Sequence, residues 1–152
     1  MDDFDLLSPS DKPALLVIRD EQRLTQTRSA LETAGYKVHA ITSLEQFKNR
    51  FHQINYKILV IDEEINKTSE GIAILEYLRT MAMPLRRHAT VLLLGDKYET
   101  LNPIQAFSQS VNAVVNYSEM EFIDRVIAKT VSENESFLAP YFDVQKSISK
   151  AP

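Results

Sequence analysis

Four short apolar runs rich in branched residues divide this chain: ALLVI (14 to 18), KILVI (57 to 61), TVLLL (90 to 94) and NAVVN (112 to 116). Continuous runs of this length fit strands buried on both faces, the condition met in a parallel sheet. A fifth run, YKVHAI (36 to 41), alternates more and is expected nearer a sheet edge. Helical period and helix punctuation fill the intervals. Residues 21 to 34 carry Leu24, Ala30, Leu31 and Ala34 and stop at Gly35, a natural left-handed helix end. Ser43 with Gln46 forms a capping box ahead of Leu44, Phe47 and Phe51. Ser69 and Gly71 precede Ile72, Ile74, Leu75 and Leu78, which predicts a helix to about Met81, before Pro84. Asn102 followed by Pro103 caps a short helix through Phe107. Ser118 with Glu121 reads as a second capping box, and behind it Ile123, Val126, Ile127 and Val131 mark a last helix.

Strand followed by helix, five times over, implies right-handed crossovers and helices on both faces of one sheet. The expected fold is α/β: a doubly wound, five-stranded parallel sheet in a flavodoxin-like three-layer sandwich. Chemistry in such sheets gathers at the carboxyl ends of the strands, near the point where strand order reverses. The residues placed there are Arg19, Asp20 and Glu21 after the first strand, Asp62 to Glu64 after the third, Gly95 and Asp96 after the fourth, and Asn116 and Tyr117 after the fifth.

Composition narrows the partners. With 152 residues, 44% of them apolar, one core can close. The excess of 21 acidic over 17 basic side chains provides no positive field for a phosphate backbone, so nucleic acid is not expected. The lack of cysteine excludes disulfides and thiolate chemistry, and His39, His52 and His88 are too scattered for a metal motif. Three glycines do not build a P-loop or a dinucleotide fingerprint, and no serine sits in a G-x-S-x-G elbow. No metal site and no enzymatic activity are expected. The start, MDDFDLLSPSDKP, is acidic and interrupted by Pro9 and Pro13, unlike a signal peptide. Apolar runs of four or five residues fall far short of the roughly 20 needed to cross a bilayer. The expected location is therefore cytoplasmic, with no membrane contact. Arg86, Arg87 and His88 read as a solvated loop.

The domain organisation read from this pattern is a flexible acidic leader (1–13), a globular unit (14–134) and a C-terminal helical extension or tail (135–152). In the tail, Phe137, Leu138, Tyr141 and Phe142 recur at about one helical turn, a stripe expected to take a protein partner or to make a homodimer. Pro140 is expected to kink or interrupt that helix.

Acidic residues after strand one, an aspartate ending strand three, and the five-unit order resemble the receiver domain of two-component response regulators, over about residues 14 to 134. In that family an acidic pair and the strand-three aspartate hold magnesium, and the aspartate takes a phosphoryl group from a histidine kinase. A hydroxyl after strand four and a lysine after strand five read out the modification. The resemblance sets Asp62 at the phosphoacceptor position and leaves Asp20, Glu21 and Glu64 as a remnant of the acidic pocket. LLVIRDE puts Arg19 at the first acidic position, VLLLGD puts Gly95 at the hydroxyl, and VNAVVNYSE puts Val114 at the switch aromatic. Tyr117, or Asn116 with a shift of one, stands at the lysine, and Ser118 at the usual proline. These departures resemble the degenerate, pseudo-receiver subset. They imply a noncatalytic signalling or scaffold module without a cofactor. One alternative is a phosphoacceptor receiver using Asp62 and magnesium; a second is a flavodoxin-like small-molecule binder. Arg19 is expected to reach Asp62 or Asp20 and replace the metal with a permanent ion pair.

Overall fold

A computed structural model describes residues 10–67, 69–81 and 88–150, the side chains of 66–71 and 141–150 excepted. Five parallel strands stand in the order β2–β1–β3–β4–β5: β1 Lys12–Val17, β2 Tyr36–Ala40, β3 Ile58–Asp62, β4 Thr90–Gly95 and β5 Ala113–Asn116. The helices are α1 Glu21–Thr33, α2 Leu44–Gln53, α3 Ser69–Thr80, α4 Pro103–Ser108 and α5 Ile123–Lys150. Short 3-10 segments follow β3 (Glu63–Lys67) and β5 (Tyr117–Phe122). The expected doubly wound, three-layer fold is present, with YKVHA at one edge and the NAVVN run supplying the other.

Alternate residues of the strands face opposite layers. Leu15, Val17, Leu59, Ile61, Val91 and Leu93 pack with Phe47 of α2 and Ile74 and Leu78 of α3. Leu16, Ile58, Val60, Leu92 and Leu94 pack with Leu31 of α1 and Ile123, Val126 and Ile127 of α5. Each such side chain contributes about 1.5–3 kcal/mol on leaving water, and because both faces are covered the strands read as unbroken apolar runs rather than alternating ones.

The helix ends explain the chain reversals. Gly35 takes φ 92° after α1, a conformation that a Cβ disfavours. Ser43 Oγ accepts from the Gln46 amide at 3.2 Å, while Gln46 Oε1 accepts from the Thr42 amide rather than from Ser43. Asn102 Oδ1 accepts from the amides of Ile104 and Gln105, as the Asn-Pro pair predicts.

Three expectations need correction. The Ser118–Glu121 box does not form: Asn116 is the cap, its Oδ1 accepting from the Ser118 amide at 2.9 Å, and the α-helix starts only at Ile123. Asparagine competes well for this role because its short carbonyl reaches the amide two residues on. Pro140 does not interrupt α5, which runs from Ile123 to Lys150, so of the expected kink or interruption the interruption is ruled out. The ring removes one donor and crowds one carbonyl, and the flanking turns carry the helix past that loss. Leu138 does not belong to an exposed stripe: it is buried, whereas Phe137 is 81% exposed. Tyr141 and Phe142 lie on α5, but their side chains fall outside the described residues.

Thr27, on the buried face of α1, is fully buried and its hydroxyl has no hydrogen-bond partner among the described residues. Desolvating a hydroxyl without a partner opposes folding. Thr27→Val is therefore expected to raise stability by about 1 kcal/mol, read as a higher urea midpoint with an unchanged slope.

Candidate functional site

Strand order reverses between β1 and β3, and at that crevice the chain places Asp20, Asp62 and the start of α1. Asp20 caps α1, its Oδ2 accepting from the Arg23 amide at 2.9 Å. Arg23 thus lies in the first turn, and helical side chains lean back toward the helix N-terminus. Its guanidinium therefore runs over the carboxyl edge of the sheet.

Asp62 ends β3 and is fully buried. Arg23 Nε donates to its Oδ2 at 2.7 Å, and the Glu64 amide donates to its Oδ1 at 2.9 Å. The Tyr117 hydroxyl makes a short hydrogen bond to the same Oδ1. Arg23 Nη2 pairs closely with Glu64, Nη1 stands 3.8 Å from Asp20 Oδ2, and the guanidinium carbon lies 3.9 Å from the centre of the Tyr117 ring. One cation is thus ringed by three carboxylates and roofed by an aromatic face, an arrangement that strengthens as water is excluded. Burial opposes the charge on Arg23, but its hydrogen bond and attraction to Asp62 outweigh that and hold its pKa above the ordinary value.

Arg23, not Arg19, meets Asp62. Arg19 is exposed beyond the end of β1. A residue leaving a strand points away along the loop, whereas one three positions past a helix cap is turned back over the sheet. Glu21 is exposed in the first turn of α1. The signal for Arg23 was its place three residues after a capping aspartate, a spacing that fixes both the amide bond and the direction of the side chain.

A second cluster, absent from the sequence reading, surrounds Gly95. Glu63 Oε1 accepts from the Tyr98 hydroxyl and from Lys97 Nζ, each at 2.9 Å. A Cβ at Gly95 would lie 2.5 Å from Glu63 Oε2 and 2.6 Å from Tyr98 Cε2. Gly95 therefore stands where it does because the tyrosine ring crosses the strand end. Asn116 donates through Nδ2 to the carbonyls of Tyr98 (2.7 Å) and Asp96 (3.2 Å), tying the loop after β4 to β5. Val114 is buried in β5, and its carbonyl accepts from the amide of Leu101, which adopts φ 66°.

Burial, then the Asp62 hydrogen bond, raises the pKa of Tyr117; burial, then the Glu63 hydrogen bond, raises that of Tyr98; burial and Glu135 raise that of Tyr36. The folded values exceed the ordinary value of 10.0, so the stabilisation is complete below that pH and is lost as pH rises through the folded values. In a spectrophotometric base titration Tyr36, Tyr98 and Tyr117 are expected to ionise late, together with unfolding.

Magnesium, which the receiver resemblance implies, requires near-octahedral oxygen ligation. The residues present do not fit it: a guanidinium fills the space between Asp20, Asp62 and Glu64, and Asp20 is engaged by the helix amide. Among the described residues no group of three or more His, Asp or Glu side chains is arranged to hold a metal. No helix among them is long and apolar enough to cross a membrane.

No family model matches the chain, and no curated protein matches it in sequence. Solved structures do. A response regulator receiver domain protein from Methanospirillum hungatei superposes with a TM-score of 0.62 at 20% identity, covering 84% of this chain and 98% of that one. The chemotaxis response regulator CheY4 of Vibrio cholerae gives 0.60 at 12% identity over 82% and 99%. A protein assigned to pilus assembly in Burkholderia thailandensis gives 0.56 at 21% over 80% and 98%. Together with the strand order, these similarities show that the chain has the fold of a response-regulator receiver domain.

Proposed function

We propose that this chain is a noncatalytic, receiver-like signalling or scaffold module of the cytoplasm, acting through protein–protein contacts, and that Asp62 is not phosphorylated in the usual way. The observation that carries this reading is the occupation of Asp62. Its two oxygens accept from Arg23, Tyr117 and the Glu64 amide. Attack on a phosphoryl group requires a free oxygen lone pair and a cation to spread the developing charge. Three of the four lone-pair positions are engaged, and the guanidinium stands against Oδ2, the oxygen that carries the fourth.

The positions that would read out a phosphoryl group support the same conclusion. Gly95 offers no hydroxyl, and the Tyr98 ring fills that space. Asn116 is neutral and held by two carbonyls. Exposed apolar side chains support a protein partner: Ile104 and Phe107 on α4 are 78% and 87% exposed, and Phe137 on α5 is 81% exposed.

The test is incubation with acetyl phosphate and magnesium, followed by intact-mass measurement. The unmodified mass is expected. A phosphoryl adduct mapped to Asp62 would instead establish the phosphoacceptor alternative, and a small molecule retained through purification would favour the flavodoxin-like binder.

A further inference from the structure

We infer that the Arg23 guanidinium is a built-in replacement for a divalent cation: it supplies the positive charge that the carboxylate cradle requires and keeps the ion out. This rests on the proposed noncatalytic reading and specifies how its site is held. The geometry of the pocket carries it. Asp62, Asp20 and Glu64 come from three separate places, the end of β3, the cap of α1 and the segment after β3, and each faces the same guanidinium. Its Nε takes the buried Asp62 at 2.7 Å, its two outer nitrogens reach the other carboxylates, and its face lies 3.9 Å under the Tyr117 ring.

An ion at this place would bind carboxylate oxygens and leave sites open to water and substrate. A guanidinium offers only donors in a fixed plane, has no open position, and never loses its proton at physiological pH. The charge is thus permanent and covalently attached. It also joins three elements: α1 through Arg23, the end of β3 through Asp62, and the segment after β5 through Tyr117. The pocket is held in one state, independent of metal.

Thermal unfolding of wild type, Arg23→Ala and Arg23→Lys, with and without millimolar magnesium and against sodium chloride of matched ionic strength, tests this. Wild type is expected to show no magnesium-dependent shift in Tm. Arg23→Ala is expected to start lower and gain a saturable upward shift with magnesium, because Asp20 and Glu64, no longer held by the guanidinium, can turn with Asp62 onto a hard cation. Arg23→Lys retains one charge and is expected to fold without that gain. Saturable stabilisation of wild type by magnesium overturns the inference, and so does a folded Arg23→Ala that ignores magnesium. If Arg23→Ala does not fold without salt, recovery by magnesium beyond matched sodium supports the inference, and no recovery overturns it. The proposed function fails separately, through an Asp62 adduct in wild type.

Discussion

Arg23→Ala is expected to cost about 3 kcal/mol of folding stability, the size seen when one partner of a buried pair is removed. The Asp62 side chain is 1% exposed beneath an Arg23 that is 18% exposed, so the truncation leaves a largely buried carboxylate without its counter-charge. Tyr117 and the Glu64 amide still donate to Asp62 and keep the loss below the upper end for such pairs. Arg19→Ala, at an exposed position, is expected to stay within about 0.5 kcal/mol. Urea unfolding of the two variants side by side distinguishes the arginine that holds the pocket from the one that lies next to it in sequence. Equal effects of the two would contradict the assignment.

Gly95→Ser, which restores a hydroxyl of the kind receivers carry after strand four, is expected to destabilise the fold by about 2 kcal/mol, as overpacking does. The new Cβ would lie 2.5 Å from Glu63 Oε2 and within 2.7 Å of the Tyr98 ring. Glu63 has a flexible end that can turn, but Tyr98 is only 6% exposed and its hydroxyl is bound to Glu63, so the ring has little room to withdraw. In a Tyr98→Ala background the cost of Gly95→Ser should fall by more than half, a non-additivity expected of residues in direct contact. An unchanged cost in that background would place the strain elsewhere.

The fold was legible because its signals are local. Unbroken apolar runs such as KILVI report strands covered on both faces, and Gly35, Ser43 and Asn102 mark helix ends by chemistry acting within three residues. The position of Asp62 followed from the strand it ends. Its partner did not, because Arg23 and Asp62 are 39 residues apart and meet only through the angle at which α1 leaves its cap. Arg19 looked the better candidate along the chain, yet a strand-end side chain and a first-turn side chain point in different directions. Along the chain Gly95 stands as a missing hydroxyl, whereas the structure shows a position kept empty by Tyr98 and Glu63, residues with no mark in a linear pattern. Leu138 and Phe137 illustrate the same limit: adjacent on one helix, one is buried and the other open.

The proposed function rests on Asp62 as a structural anion bound to Arg23 rather than a reactive carboxylate. A double-mutant cycle of Arg23→Ala and Asp62→Asn measures that bond with the surrounding terms cancelled. Each single change is expected to destabilise, and the pair to be coupled by at least about 1 kcal/mol. Additivity within about 0.5 kcal/mol, or a stabilising Asp62→Asn as expected of a carboxylate held in an acidic pocket without a counter-ion, would contradict it.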